Sequence, residues 1–320
     1  MKPTTSGPSR LGLGLAAVAR PAYITPGRDR DLGEIRDVAR LRERSWTLLD
    51  AGSDAGIRYL DVARSYGRAE EFLAGWLAAR PVTDVVIGSK WGYRYVGDWR
   101  MDAAVHEVKD HSEPAFAEQW KLTHALLGDR LAIYHVHSMT SDSPALTDQA
   151  LHRSLAALRD QGVRIGFSTS GPAQSDAIRR GLDVTVGGRP LFTSIESTWN
   201  LLEPSAGPAL SEAAGAGVAV IVKEVVANGR LTSGAHDPAA GPARELAAKL
   251  AVGVDQVAIA AALAQPWAWR VLSGAVTTEQ LAENLAGEQL DLDADAVNTL
   301  TASALPPPQY WAERASRQWR

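Results

Sequence analysis

The stretch Gly56-Ile57-Arg58-Tyr59-Leu60-Asp61-Val62-Ala63-Arg64-Ser65-Tyr66-Gly67-Arg68-Ala69-Glu70 decides how the chain is read, because it sets an acid and a phenol five residues apart across the end of a strand. Apart from Arg58, residues 57–60 are apolar and aromatic, with Gly56 before them and a polar turn after, the pattern of a short buried strand. Beyond Gly67, the residues Ala69, Phe72, Leu73, Trp76 and Leu77 recur at helical spacing. Asp61 and Tyr66 therefore fall on a strand-to-helix loop, the part of an α/β fold that carries chemistry.

Working outward, the same unit recurs. Residues 84–89 form a strand ending in Lys90-Trp91-Gly92, and a polar, aromatic loop from Tyr93 through Trp99 to His111 leads to a helix at 114–127. Residues 131–138 are the next strand, again polar at its end, before a helix at 146–158. Strands at 163–167, 191–195, 218–222 and 270–272 end in Ser168-Thr169-Ser170, Glu196-Ser197-Thr198-Trp199-Asn200, Lys223-Glu224 and Ser273-Gly274-Ala275. With residues 11–15 as the first, eight strands alternate with helices. That predicts an α/β fold made of one (β/α)8 TIM barrel with parallel strands and its active site at the C-terminal face. Gly253 splits residues 240–264 into two helices, residues 306–311 read as extended, and a short helix is expected over 312–320. No low-complexity linker divides the chain, so residues 1–320 are assigned to one domain with a C-terminal tail from about 305.

Composition bounds the chemistry. With 45% apolar and 22% charged residues, 320 residues suffice for one large core. A net charge of −4 without a Lys/Arg block argues against a nucleic-acid partner. The absence of cysteine excludes disulfides, thiolate catalysis and cysteine-held metals. No apolar run approaches the roughly 20 residues that span a bilayer, so no membrane association is expected and the expected location is cytoplasmic. Lys2 and Arg10 followed by residues 11–19 imitate a secretion signal, but Gly12 and Gly14 break the apolar stretch, and cleavage would remove the first strand. Gly12, Gly14 and Ala17 also match a loose dinucleotide fingerprint whose context fails, since Pro21 and Pro26 follow where a helix should open.

The residues that converge on the strand ends suit acid–base work on a carbonyl or an alcohol. A phenol has a pKa near 10, so Tyr66 needs a neighbouring cation if it is to exchange protons at neutral pH. Lys90 is the candidate cation, Asp61 can hold that lysine charged and in place, and His137 can hydrogen-bond a substrate oxygen. Taken singly, each has a structural reading as an ion pair, a packing ring or a satisfied imidazole. Their common placement at strand ends is what directs them to one site.

These residues resemble the aldo-keto reductase superfamily, and the resemblance covers most of the chain. Its most specific part is residues 56–73, with Gly88-Ser89-Lys90 and Tyr134-His135-Val136-His137-Ser138 similar to the lysine and histidine segments. The resemblance implies a (β/α)8 barrel that moves hydride between NADP(H) or NAD(H) and an aldehyde, ketone or sugar. It implies catalytic roles for Asp61, Tyr66, Lys90 and His137, with Tyr66 the general acid in reduction and the base in oxidation. Ser168, Thr169, Glu196 and Trp199 fall in segments that hold the nicotinamide, and Trp199 is expected to stack on its ring. Thr169 replaces the family's asparagine and Glu196 its usual glutamine; a carboxylate accepts from the carboxamide NH2 but cannot donate to its oxygen. Ser273, Gly274, Gln280 and Asn284 fall in the adenosine-binding segment, where no basic residue stands near Gly274, Val276 or Gln280 to hold a 2′-phosphate. That weakens an NADPH preference and leaves the choice open, with Lys223 or Arg230 as alternative cations.

Tyr23, Trp91, Tyr93, Trp99, Tyr310 and Trp311 are expected to wall the substrate pocket, while Trp46, Trp76, Trp120, Trp267 and Trp269 are read as packing helices. Two rival readings remain. One is a cofactor-binding barrel acting as a sensor or accessory subunit with negligible turnover. The other is a metal-dependent barrel hydrolase, because His135 and His137 form an H-x-H at a strand end, with alternation setting both rings on one side. No other histidine follows a predicted strand, so the reductase reading is expected to need no metal.

Overall fold

The computed structural model describes residues 7–24 and 28–319. Eight parallel strands close into a barrel: β1 (Leu11–Gly14), β2 (Tyr59–Asp61), β3 (Val86–Trp91), β4 (Leu131–Met139), β5 (Arg164–Thr169), β6 (Ser194–Thr198), β7 (Ala219–Lys223) and β8 (Arg270–Ser273). Each strand pairs with its sequence neighbours, and β8 closes on β1 through Leu13↔Ser273. Helices lie between the strands, so the (β/α)8 expectation holds.

The helices form where the sequence supplies an apolar face, and some of them also carry a side-chain cap. Val38–Asp54 starts on Asp37, whose side chain accepts from Arg40 N at 2.8 Å. Ala69–Ala79 follows the Tyr66 loop and buries Phe72, Leu73, Trp76 and Leu77 against the barrel. Each fully buried large side chain there contributes roughly 1.5–3 kcal/mol. Glu113–Leu127 is capped by Ser112 and carries a proline at its start, where the missing N–H is harmless.

The barrel interior is layered. Tyr59, Ile133, Ile221 and Leu272 fill the end near the strand N-termini, with Trp269 edge-on to Tyr59 at 5.6 Å. Gly88 is required beside Tyr59, because a Cβ there would stand 2.3 Å from the phenol oxygen. Above this apolar plug, register sets Asp61 beside Gly88, Lys90 beside His135 and Glu196 beside Ser168. Charged groups thus share one level of the barrel.

Several expectations are corrected. The 93–111 segment is not a plain loop: Tyr93–Tyr95 and Glu107–Lys109 pair as an antiparallel hairpin. A second small hairpin, Thr185–Val186 with Arg189–Pro190, precedes β6 and was not anticipated. Neither was the helix Ala294–Thr301. The tail is helical from Pro307 to Ala315 rather than extended to 311, because its prolines occupy the first helical positions, where they are tolerated. The division at Gly253 stands, between the helices Gly241–Leu250 and Val254–Leu263.

Candidate active site

At the C-terminal ends of the strands lies a cavity of about 670 Å³, lined among others by Asp61, Tyr66, Tyr93, His137, Glu196, Lys223, Ser273 and Asn284. Its floor is a charge cluster. Lys90, wholly buried, sets its Nζ 2.5 Å from both oxygens of Asp61 and 3.0 Å from Glu196 Oε2. His135 Nδ1 lies 3.7 Å from the same Glu196 oxygen, and its Nε2 is 2.9 Å from Ser194 Oγ. Strand alternation produces this: Lys90 points into the barrel and its neighbour Trp91 points out, edge-on to Phe116 at 5.1 Å.

Tyr66 sits above the cluster, with Lys90 Nζ 5.1 Å from its ring centroid and the His137 ring edge-on at 5.4 Å. Its loop is held by the rest of the opening motif. Gly67 adopts φ 59°, and a Cβ there would meet Ala19 O at 2.5 Å. Glu70, buried at the start of the next helix, pairs with Arg64 and accepts from Ser89 Oγ at 2.6 Å and Thr123 Oγ1 at 2.8 Å. Glu70 therefore ties the tyrosine loop to β3 and to the helix after it. His137 is braced from behind: His111 Nε2 donates to its carbonyl at 2.7 Å, which leaves His111 Nδ1 to accept from Ser143 Oγ at 2.7 Å.

The electrostatics follow from burial and from one ammonium shared by two carboxylates. Burial favours loss of the Lys90 proton, but Asp61 and Glu196 outweigh it and keep the lysine charged. Burial, then mutual repulsion, drives the second ionisation of the Asp61–Glu196 pair upward. Burial also raises the Tyr66 pKa well above its ordinary value; Lys90 opposes this, while Asp61 and Glu196 add to it. The expectation that Lys90, held in place by Asp61, would bring the phenol down is thus corrected: burial outweighs the lysine, and Asp61 and Glu196 add to it. His137 is held neutral, by burial first and by Lys90 second.

The other expected residues divide. Tyr23, Tyr93, Glu196, Lys223, Ser273, Gly274, Gln280 and Asn284 line the cavity with Asp61, Tyr66 and His137. Ser168 is fully buried, its Oγ accepting from Ser138 N at 2.8 Å. Thr169 turns away from the lumen to Ser197 Oγ at 2.8 Å and Gln174 Oε1 at 3.1 Å, and Ser170 lines the cavity in its place. Trp199 is 3% exposed and packs edge-on against Trp267 at 5.9 Å, so it is not placed to stack on a ligand.

Four of the six proposed pocket aromatics also lie elsewhere. Trp91 faces the helix layer, and Trp99 packs on Phe72 while its Nε1 donates to Arg36 O at 2.9 Å. Tyr310 is buried, its oxygen accepting from Asn200 Nδ2 at 3.0 Å, and Trp311 is buried beside it.

Residues missed by sequence reasoning fill the gap. Arg20, 2% exposed, lines the cavity with its guanidinium 5.0 Å from the Tyr66 ring, 4.4 Å from Tyr23 and 4.8 Å from Trp319; it pairs with Glu107 at 2.6 Å. A lone arginine after the apolar run Ala16-Ala17-Val18-Ala19 was a readable signal of a buried cation. Trp319 stacks on His106 at 4.5 Å, and nothing in the sequence beyond its residue type marked it. Among the described residues, no group of three or more His or acidic side chains is arranged to hold a metal, and His135 and His137 are engaged separately. No single described helix is long and apolar enough to cross a membrane.

Comparison with known proteins agrees with this architecture. No curated protein matches the chain. Among solved structures it is similar to the aldo-keto reductase AKR11C1 from Bacillus halodurans in its holo form, at 21% identity over 93% of each chain with a TM-score of 0.66. It is similar too to the glycerol dehydrogenase AKR11B4 from Gluconobacter oxydans, at 19% identity over 96% of this chain and 95% of that one, with a TM-score of 0.68. The profile of the Aldo/keto reductase family matches residues 39–304, and the chain therefore belongs to that family, whose members are oxidoreductases that use NAD(P)(H) as a class.

Proposed function

We propose that the chain is an NAD(P)(H)-dependent oxidoreductase that interconverts a carbonyl and an alcohol, with Tyr66 exchanging the proton. The observation that carries this reading is the stacking of Tyr66 over Lys90, with Asp61 behind the lysine and neutral His137 beside the phenol. The cavity residues fit a dinucleotide. Asn228, 6% exposed and in the left-handed conformation at φ 52°, lines the cavity with an Oδ1 that has no hydrogen-bond partner among the described residues. Lys223, which donates to Thr198 Oγ1 at 2.8 Å, and the N-terminal end of the helix Thr278–Ala286 stand at the loops after β7 and β8, where barrels hold phosphate.

The cofactor, when bound, gives or takes the hydride. In reduction Tyr66 gives its proton to the substrate oxygen as hydride reaches the carbon, and in oxidation it recovers that proton. Lys90 stabilises the phenolate left behind, and Asp61 keeps Lys90 charged. His137, neutral, donates a hydrogen bond to the substrate oxygen and so orients the carbon. Glu196 accepts from the nicotinamide carboxamide. Tyr23, Tyr93, Arg20 and Trp319 bound the substrate end with rings and one paired cation.

Titration of the tryptophan fluorescence with NADH and NADPH, followed by a panel of aldehydes, ketones and sugars with the cofactor that binds, tests this reading. Saturable dinucleotide binding with oxidation or reduction of panel members is expected. Binding without turnover of any member would favour the sensor reading, and no binding at all would defeat the proposal.

A further inference from the structure

The cavity has a second end whose chemistry differs from the first. It extends from Tyr66 past the loops after β7 and β8 to Asp31, Val276, Gln280, Glu283 and Asn284. If phosphates take the loops after the last two strands, the half of a dinucleotide away from the reacting ring lies at this outer end. Asp31 is delivered there by Arg28–Leu32, a short helix in the connection after β1. Its Oδ2 accepts from Gln280 Nε2 at 2.7 Å, while Gln280 Oε1 accepts from Val276 N at 2.9 Å. Arg44 Nη1 donates to Asp31 O at 2.9 Å and, more weakly, to Val276 O at 3.4 Å. Backbone and side chain of Asp31 are thus both fixed against the β8 loop. Among the described residues its carboxylate forms no ion pair, and Oδ1 makes no hydrogen bond.

We propose that Asp31 selects the dinucleotide, accepting hydrogen bonds from the ribose hydroxyls of the adenosine half and turning away a 2′-phosphate, so that this chain prefers NAD(H). The inference rests on the cofactor reading above. An ionised carboxylate only accepts hydrogen bonds, and a ribose 2′,3′-diol offers two donors; a phosphate dianion at the 2′ position offers none and repels it. Asp255 and Glu283 line the same end and add negative charge. The cations nearby are Arg28 and Arg30, which line the cavity, and Arg44; Arg28 is buried and donates to the carbonyls of Ala17, Arg20 and Pro21, and Arg44 is engaged by the two carbonyls. The carboxylate fixed by Gln280 decides between the two cofactors because it is held at the diol, whereas Arg30 is exposed at the edge.

Equilibrium binding tests this without reference to turnover. Dissociation constants for NADH, NADPH, ADP and 2′,5′-ADP are measured for the parent protein, for Asp31→Asn and for Gln280→Leu, at low and high salt. The parent should bind NADH at least about tenfold more tightly than NADPH, and ADP more tightly than 2′,5′-ADP. Asp31→Asn should bring each pair to within a few-fold, chiefly by tightening the 2′-phosphorylated ligand. Gln280→Leu should reduce discrimination less, because the carboxylate loses its anchor but keeps its charge. High salt should narrow the parent's ratio, and leave the ratio of Asp31→Asn less affected. Equal binding of NADH and NADPH by the parent, or an unchanged ratio in Asp31→Asn, would overturn the assignment while leaving the cofactor reading intact. Failure of every dinucleotide to bind would instead remove the cofactor reading on which it rests.

Discussion

The floor of the cavity and its rim are built by different rules. The floor is made of strand ends: Asp61, Lys90 and Glu196 stand at one level of a closed barrel, where register and alternation fix each side chain. The rim is made of loops, a hairpin and the chain end, and it is assembled from contacts distant in sequence, such as Trp319 on His106 and Arg20 with Glu107. Charge pairing holds the floor, whereas the rim joins ring packing to an ion pair, Arg20 with Glu107. The first depends on every partner being present; the second should tolerate loss of any one member.

Lys90→Met should have the largest effect. Removing the ammonium leaves Asp61 and Glu196 buried without their shared cation, which should cost about 3–5 kcal/mol of stability along with turnover. Denaturant titration checks the first, and Lys90→Met combined with Glu196→Gln should recover part of the loss. Glu196→Gln alone removes one of the two anions that raise the Tyr66 pKa. Oxidation needs the deprotonated phenol, so the limb along which its rate rises with pH should move to lower pH; reduction needs the proton, so its alkaline decline should also begin at lower pH. Profiles of kcat/KM that do not move would separate Glu196 from Tyr66 ionisation.

A smaller effect is expected behind His137. Burial, with Lys109 next, pulls His111 down to about 4. Its unfolded value is about 6.5, so between these values the unfolded chain binds the proton that the folded one refuses. The stability it contributes is complete above about pH 6.5 and is lost as pH falls towards 4. Melting temperatures of His111→Asn should therefore fall less steeply over that window than those of the parent.

The rim should respond least. Trp319→Ala removes contacts with His106, Tyr23 and Arg20, and should raise KM several-fold, in line with about 0.5–1.5 kcal/mol for an aromatic contact, while kcat holds. Trp99→Phe, which alters a ring packed on Phe72 outside the cavity, should leave both parameters alone. Equal responses of Trp319 and Trp99 would mean that the rim is misread.

What the sequence made legible follows the same division. Eight strands, the split at Gly253 and the convergence of Asp61, Tyr66, Lys90 and His137 were all readable, because period-2 alternation and strand-end position are local properties. Trp91 shows how fine that reading must be: one residue past Lys90, it necessarily faces the opposite side. Trp99, Trp199, Tyr310 and Trp311 were misplaced because a large aromatic ring serves a helix interface as readily as a pocket, and only tertiary contacts distinguish the two. The helix at Pro307–Ala315 was missed by treating prolines as breakers when they stand at a helix start. Arg20 and Asp31 were missed because their loop gives no periodic signal; their significance lies in partners 87 and 249 residues away.

The most direct test of the account is Tyr66→Phe, measured for turnover with an active substrate and for dinucleotide binding on the same preparation. The substitution keeps the ring over Lys90 and removes only the hydroxyl. Turnover should fall by about 10²–10⁴-fold while the dinucleotide dissociation constant stays unchanged. Turnover equal to that of the parent would contradict the assignment of the proton to Tyr66 and, with it, the role of the charge cluster beneath.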